Sequence, residues 1–436
     1  MRHDGSLACA GLVTGALCCL LSVACGGVAA PAPADAPDAS QSPTDGSAGL
    51  GASPPGPPAD SGPGGDTSSS VADAAADAAV PGAFPAPHAP LPQVPDQGGP
   101  ILASPHLITI TYPGFVADPD VNAFGSFVVT SSWLTTAGAE YGVGAGSHTH
   151  VVLTDPAPAS LAVADVASYL SQKIADGTLP GGVQTQPGND LYMIFYPPST
   201  SITDMNTTAQ CNSTAGTTYK VGALDHDGTG AGQRFAYAIV STCPDEPTLG
   251  IVWTAAEVFM TAATDPYRLS DPAYLLPAAN PWFPWENQVG YMCNFMPPVI
   301  EGGYSLPPVW SNARAASGSW PCVPAQAGPY FNVSVSPNVT QTIAAGSSIT
   351  IPVTGWSTAA VPDWTVTANP SGTAFTPTAS FAGSASTNGM NNAATTMLTI
   401  GVPAGTPSQS LGAVRLHSAR NNGDWLSEWV VPVQVQ

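Results

Sequence analysis

The sequence predicts an α+β domain followed by an all-β sandwich. Between Ile101 and about Ala327, strand-like runs of β-branched and aromatic residues are mixed with two helical patterns. From Pro329 to Gln436, short strand-like runs recur between Gly, Pro, Asn and Ser, with no helical pattern among them. A third observation sets both apart from what precedes them: residues 26–100 are dominated by Ala, Pro, Gly, Ser and Asp and contain no Lys or Arg.

The chain opens on Arg2 in a short polar start, followed by an apolar run from Leu7 to Ala24. This is the pattern of an export signal over residues 1–24. At about 18 residues the run lies near the lower limit for spanning a bilayer, and no basic stop-transfer cluster follows it. Its end, Leu20-Leu21-Ser22-Val23-Ala24-Cys25-Gly26-Gly27, resembles a bacterial lipoprotein signal, in which small residues precede a cysteine. Ser22 departs from the Leu usual at that place. The resemblance implies a lipid-modified Cys25 as the new N-terminus and attachment to a membrane through that anchor. With Gly26 in place of Asp, it also implies the outer membrane or surface of a bacterial cell envelope. Several acyl chains anchor stably where one does not.

Residues 25–100 cannot bury enough apolar surface to offset chain entropy and are expected to be a disordered linker. A coil of about 75 residues has an end-to-end distance of roughly 50 Å, which would lift the body clear of the membrane. The 29 acidic residues against 8 Lys and Arg give a net charge of −21. Nucleic acid and anionic headgroups are therefore excluded as partners, because both require clustered positive charge.

In the α+β domain, residues 101–327, strands are expected at Leu107–Tyr112, Ser126–Thr130, His148–Leu153, Asp190–Tyr196 and Phe235–Val240. A helix over Leu161–Ala175 places Leu161, Val163, Val166, Leu170 and Ile174 near one face; a second, Ile251–Thr264, is apolar almost all round and should be buried. The mature body keeps Cys211, Cys243, Cys293 and Cys322. An even number in an oxidising compartment suggests two disulfides in one of three connectivities, with Cys211–Cys243 and Cys293–Cys322 favoured. The last segment, residues 328–436, has strand-like runs at Phe331–Val335, Ser348–Val353, Trp364–Thr367, Thr396–Ile400, Ala413–His417 and Trp425–Val435. Regular short strands with turn signals read as an immunoglobulin-like sandwich, a module that commonly serves as spacer or adhesive unit.

Few residues offer chemistry. His148 and His150 lie two apart on a predicted strand, so both imidazoles point to one side and could share a metal, given a third ligand. Asp225-His226-Asp227-Gly228-Thr229-Gly230 begins like a calcium loop, but Ala236 stands where the bidentate Glu is needed, and a polar hairpin accounts for it better. Glu257 interrupts an apolar helix, where a buried carboxylate must be paired, metal-bound or protonated. Trp282, Trp285 and Trp310 could form an aromatic platform for sugar or peptide, or belong to the core.

One resemblance covers roughly Leu107 to Pro324. Ser132-Trp133, Ala139-Glu140-Tyr141-Gly142-Val143-Gly144, Asp190–Tyr196, Phe235–Val240 before Cys243-Pro244, Ala263-Thr264-Asp265-Pro266, Val289-Gly290-Tyr291-Met292-Cys293, Trp310-Ser311-Asn312-Ala313 and Pro321-Cys322-Val323-Pro324 together resemble a family of exported bacterial proteins, and more distantly the EXORDIUM-like cell-wall proteins of plants. Many bacterial members look like zincins, with H-E-x-x-E before A-x-T-D-P and a later G-E-x-G-D before a cysteine. In that motif the helical His binds zinc and the following Glu activates water. Aligned on Thr264-Asp265-Pro266, this chain has Glu257 at the His, Val258 at the catalytic Glu, Thr261 at the second Glu, then Gln288 and Tyr291 at the later Glu and Asp. Shifting by one residue restores Glu257 as catalytic Glu but puts Ala256 at the His.

The expectation is thus a zincin-like pseudoenzyme domain on a lipid anchor, without cofactor, binding an extracellular protein or polysaccharide. The alternative is a metal-dependent hydrolase, a peptidase whose zinc would be held by His148, His150 and Glu257.

Overall fold

The computed structural model describes residues 83–181, 188–203, 223–227, 234–242, 248–284, 287–293, 295–372, 374–420 and 425–436, all within one compact unit. In chain order its first part contains β1 (His106–Thr111), α1 (Asp118–Val128), α2 (Ser132–Gly138), β2 (Ser147–Val152), β3 (Ser160–Ala162), α3 (Val163–Ala175), β4 (Asp190–Tyr196), β5 (Ser201–Thr203), β6 (Ala223–Asp227), β7 (Arg234–Ser241) and α4 (Thr248–Thr264). Then come β8 (Val299–Glu301), β9 (Tyr304–Leu306), β10 (Val309–Trp310), α5 (Asn312–Ala316) and β11 (Cys322–Val323).

The main sheet has the order β2-β1-β4-β7-β6, with β6 antiparallel and the rest parallel. Central parallel strands are buried on both faces and so read as nearly unbroken apolar runs, as in Leu191–Tyr196 and Phe235–Val240. One face, with Leu107, Met193, Phe195, Ala238 and Val240, packs against α1 and α4. The other, with Ile108, Ile110, Ile194 and Ile239, packs against Val166, Leu170 and Ile174 of α3. From Ile251 to Thr264, helix α4 is buried except at Trp253 and Glu257, which are half-buried. Among the described residues no helix is long and apolar enough to cross a membrane.

The strand expected at Ser126–Thr130 is instead the end of helix α1. Phe127, Val128, Val129 and Thr130 suggest β-structure by residue type, but Val121, Phe124, Gly125 and Val128 recur at helical spacing and are the buried set. Proline in the first turn, with Asp118 and Asp120 beside it, suits a helix N-terminus.

The second part is a β-sandwich: β12 (Phe331–Val335), β13 (Gln341–Ile343), β14 (Ser348–Ser357), β15 (Trp364–Ser371), β16 (Thr378–Phe381), β17 (Thr387–Met390), β18 (Thr395–Gly401), β19 (Leu411–Arg420) and β20 (Trp425–Val435). One sheet runs β12-β14-β18-β16 and the other β13-β20-β19-β15-β17. Between them lie Val333, Val353, Val366, Leu398, Val414, Leu416 and Trp429.

The boundary expected near 327 divides the strand pattern but not the packing. Trp282 meets Trp429 edge to face, with centroids 5.6 Å apart, and Trp320 meets Phe331 at 5.5 Å. A single apolar core runs through both parts. Trp282 and Trp310, each 2% exposed, belong to this junction and form no surface platform; Trp285 lies outside the described residues. Arg415 also reaches across, over the ring of Phe295 at 4.3 Å, while its guanidinium and His417 both hold Glu428, at 3.1 and 2.7 Å.

Packing also begins earlier than the expected start at Ile101. Ala86, Leu91 and Val94 are 2%, 5% and 0% exposed, so the chain from Ala86 onward is packed where a linker was expected through residue 100. Composition misleads here because proline carries no N–H to satisfy. A Pro-rich strip with a few apolar anchors can therefore be buried cheaply. The amides that do need partners find them: Gln97 N–H donates to the Ala273 carbonyl at 2.8 Å and Gly99 N–H to that of Pro272 at 3.0 Å.

Candidate functional site

The motif residues around α2 are fastened to the segment after β8. Ser131 caps the helix through the Leu134 amide. The Glu301 carboxylate accepts from the Ser132 amide (2.7 Å), the Ser132 hydroxyl (2.7 Å) and the Trp133 amide (2.9 Å), a negative charge where a helix N-terminus favours one. Trp133 Nε1 donates to the Pro307 carbonyl and Tyr141 Oη to that of Trp310, both at 2.7 Å. Glu140 accepts from Ser311 Oγ at 2.5 Å and from the Ala313 amide at 2.7 Å. These side chains hold two distant segments of chain together, which explains their occurrence without invoking chemistry.

The positions where the resemblance places a metal centre do converge on α4. Gly290 lies so close to the helix that a Cβ there would come within 2.2 Å of Thr261 Oγ1 and 3.0 Å of the Glu257 carbonyl oxygen. The polar side chains of Thr261 and Gln288 are engaged within the fold. Thr261 Oγ1 donates to the Glu257 carbonyl at 2.9 Å, Val258 is fully buried, and Gln288 Nε2 donates to Asp265 Oδ2 at 3.0 Å. Asp265 Oδ1 accepts from the Ala273 amide at 2.8 Å. Glu257 itself is half-buried. Gly290→Ala is expected to force α4 and this segment apart and to cost about 1–3 kcal/mol, read as a lowered denaturation midpoint.

His148 and His150 both project from β2 towards α1, as their spacing predicts, but they join a hydrogen-bonded chain rather than a ligand set. Asp118 can only accept, so His150 Nε2 donates to it at 2.9 Å. With neutral rings, His150 Nδ1 accepts from Thr109 Oγ1 at 2.9 Å and Thr109 accepts from His148 Nε2 at 2.7 Å; His148 Nδ1 lies 3.0 Å from Ser126 Oγ, whose proton is shared with the Asn122 carbonyl at 3.1 Å. All four imidazole nitrogens are thereby engaged. Thr149 points to the other face, where His106 bridges it and Asp190. Among the described residues, no three His, Cys, Asp or Glu side chains are arranged to hold a metal ion; His148, His150 and Glu257 do not form such a group.

Sequence reasoning found the histidines but missed Thr109, Asp118 and Ser126. The available signal was Thr109, which with Thr111 interrupts the apolar run of β1 and is fully buried. Gly125 completes the arrangement, because a Cβ there would lie 2.2 Å from His148 Nε2 and would hold α1 away from β2.

Burial, reinforced by His150 and then His106, pushes the His148 imidazole down from 6.5 to about 4. A value lowered on folding means the folded chain binds that proton more weakly. The stabilisation is complete above about pH 6.5 and is lost as pH falls through about 4. For a half-exposed ring the expected loss is about 1–2 kcal/mol. Denaturation midpoints measured between those values should slope accordingly, and His148→Gln should flatten the slope.

Asp225, His226 and Asp227 lie on β6, which pairs antiparallel with β7, the hairpin arrangement rather than a cation loop. Gly228, Thr229 and Gly230 lie outside the described residues, as do Cys25, Cys211 and Cys243. Cys293 and Cys322 are joined in a disulfide.

A cavity of about 370 Å³ opens beyond the carboxyl ends of β1, β2 and β4, lined among others by Tyr112, Phe115, Thr154, Pro197 and Ser199. Open parallel sheets gather ligands at that end. Among the described residues its lining contains no carboxylate, imidazole, thiol or amine, and burial raises the Tyr112 phenol well above its ordinary value. The described lining therefore offers no acid or base near neutral pH.

Neither a family model nor a curated relative matches the sequence. Among solved structures, domains 4 and 5 of the S-layer protein SbsC are 21% identical over 25% of this chain, at a TM-score of 0.18; the match spans about half (54%) of that structure. A conjugative transposon lipoprotein from Bacteroides eggerthii is 14% identical, covering 23% of this chain and 95% of its own, also at 0.18. The periplasmic chaperone SfaE is 10% identical, covering 24% and 57%, again at 0.18. Likenesses of this size carry no argument about fold or function.

Proposed function

We propose that this is a non-catalytic, lipid-anchored protein of a bacterial cell envelope. In this reading a zincin-like scaffold and an immunoglobulin-like sandwich form one body that binds an extracellular protein or polysaccharide. The observation that carries it is the fate of the catalytic positions. Val258 is sealed in the core, Thr261 bonds back to its own helix, and Gln288 is committed to Asp265. Valine takes no proton and a committed amide is a poor metal ligand, so the positions needed for hydrolysis serve to pack the fold. The uncharged cavity at the strand ends suits binding better than bond cleavage.

Three measurements test this reading. Metal analysis of the purified protein should find no stoichiometric zinc, and a peptidase assay should find no activity that depends on Glu257. Zinc at one per chain, with activity abolished by Glu257→Ala, would establish the hydrolase alternative instead. Metabolic labelling with an alkynyl fatty acid should mark the protein and place it in the outer-membrane fraction, and Cys25→Ser should abolish both.

A further inference from the structure

The main sheet carries the same sequence of contacts twice, once on each face. Beneath α1, Asp118 orients His150, whose other nitrogen meets the hydroxyl of Thr109. On the opposite face Asp190 Oδ1 lies 2.8 Å from His106 Nδ1, and His106 Nε2 lies 2.9 Å from Thr149 Oγ1. An ionised carboxylate only accepts, so Nδ1 keeps the proton of the neutral ring, Nε2 is left as the acceptor, and the Thr149 hydroxyl donates to it. The order is carboxylate, imidazole, hydroxyl. Both contacts fall within the reach of about 2.6–3.2 Å that places a nucleophile beside its base and the base beside the group that orients it.

Access separates the two. Thr109 is fully buried and its oxygen also takes a bond from His148, so that copy is closed. Thr149 is half-buried on β2, the edge strand of the sheet, and the side chains of His106 and Asp190 are 28% and 16% exposed. The edge supplies a further element. The amides of Ser147 and Leu153 donate towards β1, to the carbonyls of Pro105 and Thr111 at 3.0 and 2.9 Å. Amide direction alternates along a parallel strand, so the amides of His148 and His150, on either side of Thr149, point to the outer edge, which no strand covers among the described residues. An N–H from the residue after a nucleophile is a common donor to the oxygen on which charge develops in acyl transfer.

We infer that Thr149 is a nucleophile that takes an acyl group from a carboxylic ester, with His106 as its base and Asp190 positioning the ring. Thr149 Oγ bonds to the carbonyl carbon of the donor while its proton passes to His106 Nε2. The C–O bond of the donor then breaks, the proton leaves with the alcohol, and Thr149 carries the acyl group as a new ester. This goes beyond the non-catalytic reading without contradicting it, because a chain that acylates itself once turns nothing over. The three residues also lie apart from the positions on α4 where the resemblance places a metal centre.

Incubating the full chain with p-nitrophenyl acetate tests the inference. Folded protein should release a burst approaching one equivalent of nitrophenol per chain, and peptide mapping by mass spectrometry should place the acetyl group on Thr149. Thr149→Val and His106→Gln should each slow the burst at least about a hundredfold, whereas Thr149→Ser should keep it. Asp190→Asn should slow it at least about tenfold, with part of the rate restored in Asp190→Glu. Release that continues past one equivalent also supports the nucleophile and would end the non-catalytic reading. If the folded chain carries no acetyl group on Thr149, or if His106→Gln is labelled there as fast as the unsubstituted protein, the inference is overturned. The mapping is made on the unsubstituted chain, so it decides even where a variant fails to fold.

Discussion

Trp282→Ala is expected to destabilise the protein by about 3–5 kcal/mol and to split one unfolding transition into two. The indole is 2% exposed and packs edge to face between Trp310 at 6.1 Å and Trp429 at 5.6 Å. One of these belongs to the sheet-and-helix part and the other to the sandwich, so removing the ring opens a cavity at the place where the two cooperate. Chemical denaturation followed by tryptophan fluorescence and by far-ultraviolet circular dichroism should give coincident curves for the unsubstituted chain and separated curves for the variant. A loss below about 1 kcal/mol, with curves still coincident, would mean that the shared core carries little energy; buried Trp truncations normally cost more.

Asp265→Ala should cost about 3–5 kcal/mol by a different route. The carboxylate is 1% exposed and accepts from the Ala273 amide and from Gln288 Nε2. Hydrogen bonds to a charged group contribute about 1.5–3 kcal/mol each, and removing the acceptor strands two buried donors. Asp265→Asn preserves shape but turns an amide nitrogen towards a donor, so it should also destabilise, by about 2–4 kcal/mol. Equilibrium urea titration of both variants checks this. A variant as stable as the parent would show that the Thr264-Asp265-Pro266 motif is dispensable to the fold.

Much of the architecture was legible because local and global preferences agree. Asp190–Tyr196 has the nearly unbroken apolar run that a doubly buried strand requires, Phe331–Val335 alternates Phe, Val and Val with Asn and Ser, and both are strands. The helix at α1 was obscured because Val128, Val129 and Thr130 favour strands by type while Val121, Phe124 and Val128 favour a helix by spacing; packing against the sheet decided for spacing. Short edge pieces such as β13, with three residues, are too brief to leave a periodic signal. The strip at 83–97 was unreadable for another reason. Its order depends on Asn312 and Asn392, hundreds of residues away, whose side chains accept from the Val94 and Ala86 amides, and composition alone does not reveal a distant clamp.

At the candidate site, the resemblance pointed to Glu257, Val258, Thr261 and Gln288, and the strand period placed His148 and His150 on one side. What it lacked were partners. Thr109 and Asp118 satisfy the imidazoles, and neither stands out until β1, β2 and α1 are brought together.

The Cys293–Cys322 bond spans 29 positions and encloses Glu301, Trp310, Ser311 and Asn312, so it fastens the part of the chain that caps α2 and grips the strip at Val94. Closing a loop of that size removes about 3–4 kcal/mol of freedom from the unfolded chain, but only where thiols oxidise. If the chain is exported as proposed, the polypeptide still in a reducing cytosol lacks that contribution and gains it only after crossing.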